Sequence, residues 1–147
     1  MPPCYYLRLK TSMELKYLTA NDRAMLRSIA RRVTYKPREI IIPINSKPTA
    51  LFIVVSGTAA VEVLRGKPIA KLSAGDICGD MAFVENGIAS ASVVAETELE
   101  VDVLDLPQVT EIFTHYPHLE TRFYKSLAVL LSQRMRSTLK QLAKPVS

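Results

Sequence analysis

The chain has 147 residues, 48% of them hydrophobic and 22% charged, with a formal net charge of +5. This is the balance of an ordinary globular domain, long enough to bury a real core and too apolar for intrinsic disorder. No apolar run approaches the ~18 residues of a membrane span, so none is expected. The first residues lack the apolar centre of a signal peptide, and Cys4 and Cys78 make no disulfide framework, so a cytoplasmic location is expected.

Residues 1–13 read as a leader and 14–147 as one domain. A helix is predicted to start at Leu18–Asp22, with Thr19 or Asn21 as its N-cap. Apolar residues then recur at helical spacing at Met25, Leu26, Ile29, Ala30 and Val33, until Pro37 ends the pattern. Glu39 to Ile44 is β-branched and runs into an Asn45–Pro48 loop. Ala50 to Val55 is a continuous apolar strand that turns at Ser56-Gly57. Thr58 to Leu64 and Ile69 to Leu72 flank a turn at Arg65-Gly66-Lys67. Ser90 to Ala95 and Leu99 to Leu104 supply two more strands. Short strands at close spacing predict a mainly β fold, a jelly-roll sandwich or barrel with flanking helices. From Pro107 the period becomes helical, first through Val109, Ile112 and Phe113. A long helix follows over about 118–143, roughly 39 Å at 1.5 Å per residue.

Between the strands lies the stretch with the most chemical content. Gly75-Asp76 makes a turn, Gly79 follows, and Met81 to Glu85 is compatible with a short helix. Asn86-Gly87 breaks that helix, and small residues from Ala89 to Ser92 lead into a strand. A helix N-terminus facing a loop of Ser and Ala is a place for an anion, because the first helical N–H groups lack partners and the dipole favours negative charge.

Gly79-Asp80-Met81-Ala82-Phe83, then Ile88-Ala89-Ser90-Ala91-Ser92-Val93, resembles the phosphate-binding cassette of the cyclic-nucleotide-binding domain family. That family includes the catabolite-activator regulators and the regulatory subunits of cyclic-AMP-dependent kinase. The frame extends beyond the cassette. Leu51 to Gly57 is similar to a family strand and its glycine turn, and Ala74-Gly75-Asp76 to the family's Pro-Gly-Asp. The turn Ile44-Asn45-Ser46-Lys47 stands where the family has a Gly-Asp turn, and Asn tolerates the left-handed conformation needed there. The resemblance implies a ligand, cyclic AMP or cyclic GMP, held around Gly79, Asp80, Met81, Ala82, Ala89, Ser90, Ala91 and Ser92.

Two side chains depart from the family pattern. Asp80 stands where a Glu binds the ribose 2′-hydroxyl, keeping the carboxylate but losing one methylene of reach. Ala89 stands where an Arg neutralises the cyclic phosphate. A hydrogen bond to a charged group contributes about 1.5–3 kcal/mol. Deleting one partner of a buried charged pair costs about 2–5 kcal/mol, so the resemblance implies a weakened site, at about tenfold in affinity per 1.4 kcal/mol. Arg134, near where catabolite activators place a polar base contact, is a candidate substitute for the lost charge. The competing reading is a solvated surface Arg.

The long helix carries Leu119, Phe123, Leu127, Leu130, Leu131, Met135, Leu139 and Leu142 at spacings of three and four. Such a seam packs on its own domain and also suits a second copy, and the resemblance implies a homodimer through this helix. After Glu120 the sequence has no acidic residue but holds Arg122, Lys125, Arg134, Arg136, Lys140 and Lys144, and Arg31, Arg32, Lys36 and Arg38 form another cluster. These read either as a solvated face or as a surface for an acidic partner. No helix-turn-helix follows the long helix, so sequence-specific DNA binding is not expected.

Cys78 reads as a small buried residue, with a redox-sensing thiol as the alternative. His115 and His118 have no metal-ligand neighbours in sequence, so no metal is expected, and no nucleophile elbow or paired carboxylate argues for an enzyme. Two functions follow. One is a stand-alone sensor of a cyclic nucleotide, or another small phosphate compound, that signals to a protein partner through its C-terminal helix. The other is a degenerate member that binds no nucleotide and acts as a dimeric interaction module.

Overall fold

The structure, a computed structural model, describes residues 15–143. The expected leader, Cys4 and Lys144 lie outside the described residues. The elements are α1 (Ala20–Ile29), β1 (Arg31–Tyr35), β2 (Ile40–Ile42), β3 (Ala50–Ser56), β4 (Ala59–Leu64), β5 (Lys67–Leu72) and β6 (Ile77–Cys78). They continue with α2 (Asp80–Glu85), β7 (Ser92–Ala95), β8 (Leu99–Asp105), α3 (Leu106–His115) and α4 (Pro117–Ala143). Eight antiparallel strands form two sheets, in the orders β1-β8-β3-β6 and β2-β7-β4-β5. The expected mainly β sandwich with an N-terminal helix and a long C-terminal helix is what the chain builds.

Two cores divide the apolar residues. Val54, Ala59, Val93, Leu99, Val101 and Val103 pack between the sheets. Leu51, Ile77 and Leu104 instead face the helices and meet Leu26, Val109, Phe113, Phe123 and Leu127. Successive side chains of a strand point to opposite faces, so the neighbours Val103 and Leu104 enter different cores. A sheet covered on both faces therefore reads as a continuous apolar run, as in β3.

The first helix ends earlier than its apolar spacing predicts. It stops at Ile29, and Val33 belongs to β1, paired with Val101 of β8. The stretch Arg31–Tyr35 contains β-branched and aromatic residues that suit a strand. Its pairing also places Arg31 on Asp105 at 2.9 Å, and Arg32 on Asp102 at 2.6 Å and Glu100 at 3.0 Å. Arg38 pairs with Glu62 at 3.3 Å. The first basic cluster is thus largely neutralised by acidic residues distant in sequence.

Thr19 is the N-cap of α1. Its hydroxyl accepts from the Asp22 N–H and the Asp22 carboxylate accepts from the Thr19 N–H, each at 3.0 Å, a reciprocal capping box. The same carboxylate accepts from Arg122 Nε at 2.6 Å and Nη2 at 2.8 Å, joining α1 to α4. Arg122 holds Asp22 down at about 2, below its ordinary 3.8.

Candidate functional site

Gly79 has φ +87°, and a Cβ there would sit 3.0 Å from the Ala50 carbonyl oxygen, which is why a glycine opens α2. The turn delivers Asp80, buried, to the first position of the helix. At its other end Asn86 takes the left-handed conformation, φ 52°, and stops α2 after six residues. The loop that follows is braced by backbone bonds. Asn45, with φ 69°, donates to Ala89 O at 2.9 Å, and the Ala89 N–H donates to Ser46 O at 2.8 Å. Asn45 thus performs the left-handed turn expected of it.

A cavity of about 150 Å³ lies between these segments. Of the residues singled out in the sequence, Gly79, Asp80, Met81, Ala82, Ala89, Ser90, Ala91 and Arg134 line it. Ser92 does not. Its hydroxyl accepts from the Ile44 N–H at 2.8 Å, tying β7 to the segment that follows β2. The remaining wall is apolar and comes mainly from the β2-β7-β4-β5 sheet, through Ile42, Val61, Leu72 and Val93, with Ile77 and Cys78 of β6 added from the other sheet. These wall residues were invisible as site residues in the sequence, where they read only as strand interior.

Arg134 is not a solvated surface residue. It reaches 54 positions back along the chain, where Nη1 donates to Asp80 Oδ2 at 2.7 Å and Nη2 donates to the Ile77 carbonyl at 2.8 Å. The two side chains are 17% and 4% exposed. Burial pushes the Asp80 carboxyl above its ordinary value. The Arg134 charge and the backbone N–H groups of Asp80 and Met81 pull it back in part. Arg134 Nε is buried and has no hydrogen-bond partner among the described residues.

The cassette helix touches α4 through aromatic rings. Phe83 stacks on Tyr124 at 5.6 Å between centroids and meets Phe123 edge-on at 5.8 Å. In the sequence Phe83 stands only as part of the cassette frame, and its partners on α4 lie too far along the chain for spacing to reveal. Cys78, on β6 beside the cavity, is buried, and burial pushes its thiol up to about 12. At that value the thiol is an inert packing group, not a redox sensor.

The fold is a two-sheet antiparallel β-sandwich in which a short helix opened by a left-handed glycine presents a buried carboxylate to a guanidinium from the long C-terminal helix. The chain belongs to the cyclic nucleotide-binding domain family, whose family model matches residues 32–116. It is 27% identical over 124 residues to cyclic GMP-binding protein C of Dictyostelium discoideum, a match covering 82% of this chain and 5% of that protein. It is 32% identical over 124 residues to glutaminase 1 of Bradyrhizobium diazoefficiens, covering 82% of this chain and 20% of that protein. The chain thus spans only a small part of these relatives. Among solved structures, a cyclic nucleotide-binding domain from Methylobacillus flagellatus superposes with a TM-score of 0.78 at 20% identity, covering 93% of this chain and 85% of that one. Among the described residues no helix is long and apolar enough to cross a membrane, and no group of His, Cys, Asp and Glu is placed to hold a metal ion.

Proposed function

We propose that this domain is a non-catalytic regulatory sensor of a cyclic nucleotide, in which Arg134 takes over the charge that Ala89 lacks. The observation that carries the reading is the largely buried Arg134–Asp80 pair lining the cassette cavity, with Nη1 to Oδ2 at 2.7 Å. Asp80 is the carboxylate for a ribose hydroxyl, and Arg134 is the cation nearest to it. The cavity, about 150 Å³, is smaller than the roughly 300–1,000 Å³ of ordinary ligand sites. Entry therefore requires the pair to open. Opening hands Asp80 to the ribose and Arg134 to the phosphate or base, and moves α4 because Arg134 is rooted in it. A ligand that favours the opened arrangement shifts the population of α4 positions, which a protein partner reads. The likeness to a cyclic GMP-binding protein supports this class of ligand, with cyclic GMP and cyclic AMP both to be tried. Exposed Met135, Leu139 and Leu142 on the distal part of α4 support pairing with a second copy.

The second reading has its own observation. Asp80 is already satisfied by Arg134, and Ala89 brings no charge, so the site is also the closed site of a member that no longer binds nucleotide and serves as an interaction module. Calorimetry with cyclic GMP and cyclic AMP at low salt, on the unmodified protein, Ala89→Arg and Arg134→Gln, separates the two. The sensor reading expects saturable binding by the unmodified protein, about tenfold or more tighter in Ala89→Arg and lost in Arg134→Gln. Binding by Ala89→Arg alone establishes the second reading.

A further inference from the structure

The β4–β5 hairpin ends in a tip that the two cores leave uncovered. Val63 is 49% exposed, Leu64 64% and Ile69 47%, so both strands carry large apolar side chains into solvent beside the turn. Residues 63–67 are exposed without a break, and a Cβ at Gly66 would meet nothing within 4 Å, so the turn projects into open space. Between the apolar residues stand Arg65 and Lys67, and neither side chain has an ion-pair or hydrogen-bond partner among the described residues. The neighbouring charges are answered without them. Glu62, the single acidic residue of the hairpin, is buried, pairs with Arg38 at 3.3 Å and accepts from the Gly66 N–H at 3.2 Å. Lys71 pairs with Glu96 at 3.3 Å. The tip therefore joins exposed apolar surface to two unpaired positive charges.

We propose that the β4–β5 tip is an attachment site for an anionic lipid surface. Val63, Leu64 and Ile69 enter the boundary between headgroups and acyl chains, and Arg65 and Lys67 meet the lipid anions. Interfacial attachment draws on buried apolar area and on the attraction of cations to anionic lipids, and the tip offers both in one place. The long Arg and Lys side chains lay their methylenes along the apolar layer while their charges stay among the headgroups. A second copy of this chain is the wrong occupant, because its net charge of +5 has the same sign as the tip. The attachment is peripheral and reversible, since it is set by a few side chains and not by a spanning helix. It does not depend on what the cassette binds.

The experiment needs no cyclic nucleotide, so its failure is distinct from that of the sensor reading. The unmodified protein is sedimented with vesicles of phosphatidylcholine alone and with vesicles of phosphatidylcholine and phosphatidylserine in equal parts. The expected result is saturable binding to the mixed vesicles, at least tenfold weaker to phosphatidylcholine alone and weakened by added salt. Leu64→Asp, and Arg65→Glu with Lys67→Glu, each weaken binding at least tenfold. The chain contains no Trp, so Leu64→Trp puts a single indole at the tip, and its emission shifts to the blue on the mixed vesicles. The proposal is overturned by no binding to the mixed vesicles, by equal binding to both kinds, by undiminished binding of the tip variants, or by an emission that does not shift. Binding to soluble poly-glutamate as tight as to the mixed vesicles marks an acidic protein surface as the partner and also overturns it. The two-vesicle comparison on the unmodified protein remains decisive even if a variant does not fold.

Discussion

Arg134 Nη1 donates to Asp80 Oδ2 at 2.7 Å, joining the long C-terminal helix to the first residue of the cassette helix. The pair is a structural clasp between α2 and α4, and both residues line the cassette cavity. Under the proposed sensor function it is also the group a ligand has to displace.

Removing the guanidinium tests the clasp. Arg134→Gln leaves the buried Asp80 without its cation, and the expected cost is about 2–4 kcal/mol in urea unfolding at neutral pH. Loss of Arg134 raises an Asp80 carboxyl that burial already holds above its ordinary value. Such a group costs stability when ionised, so the deficit is largest at neutral pH and shrinks as pH falls through the carboxyl's folded value. A deficit that does not change with pH sinks this account.

The pair between α1 and α4 behaves in the opposite sense. Asp22 is held at about 2, chiefly by the Arg122 hydrogen bonds, against an ordinary 3.8. Its contribution is therefore full above about pH 4 and is lost as pH falls through about 2. Asp22→Asn is expected to lose about 2 kcal/mol at pH 7, from the ion pair and the capping box together. The difference from the unmodified protein should close as acid unfolding is followed from pH 4 to pH 2.

Phe83 packs on both Tyr124 and Phe123 and so joins α2 to α4. Phe83→Ala should cost about 1–3 kcal/mol, with Phe83 only partly buried. Hydrogen exchange should quicken in α2 and in the middle of α4, while β1 and β8 keep their protection. Uniform quickening across the sheets would instead mark a general loss of stability.

The thiol of Cys78 should not react in the native state. Burial places it at about 12, so almost no thiolate exists at pH 8. In a Cys4→Ser variant, labelling with an aromatic disulfide reagent should wait for unfolding and become immediate in urea. Fast labelling of the folded variant would restore the redox reading of this residue.

Local chemistry was legible in the chain. The order of turn, Gly79, short helix and small-residue loop depends on φ preferences and capping over a few residues, and it located the cassette and seven of the cavity-lining positions. Thr19 as N-cap, Asn45 as a left-handed turn residue and α4 from its three-and-four spacing were readable for the same reason. Pairing across the fold was not. The run from Met25 to Val33 fits a helix by period, yet Val33 joins β1 because that strand pairs with β8, about 70 residues away, and Val33 packs against the core between the sheets. The bond from the Ile44 N–H to the Ser92 hydroxyl is equally invisible in the spacing. Arg134 stands out in the sequence as a candidate charge for the cassette, but its partner Asp80 appears only once α4 lies across the cassette. Sequence spacing encodes backbone geometry over one or two turns, whereas the partner of a charged side chain depends on which segments the two cores bring together.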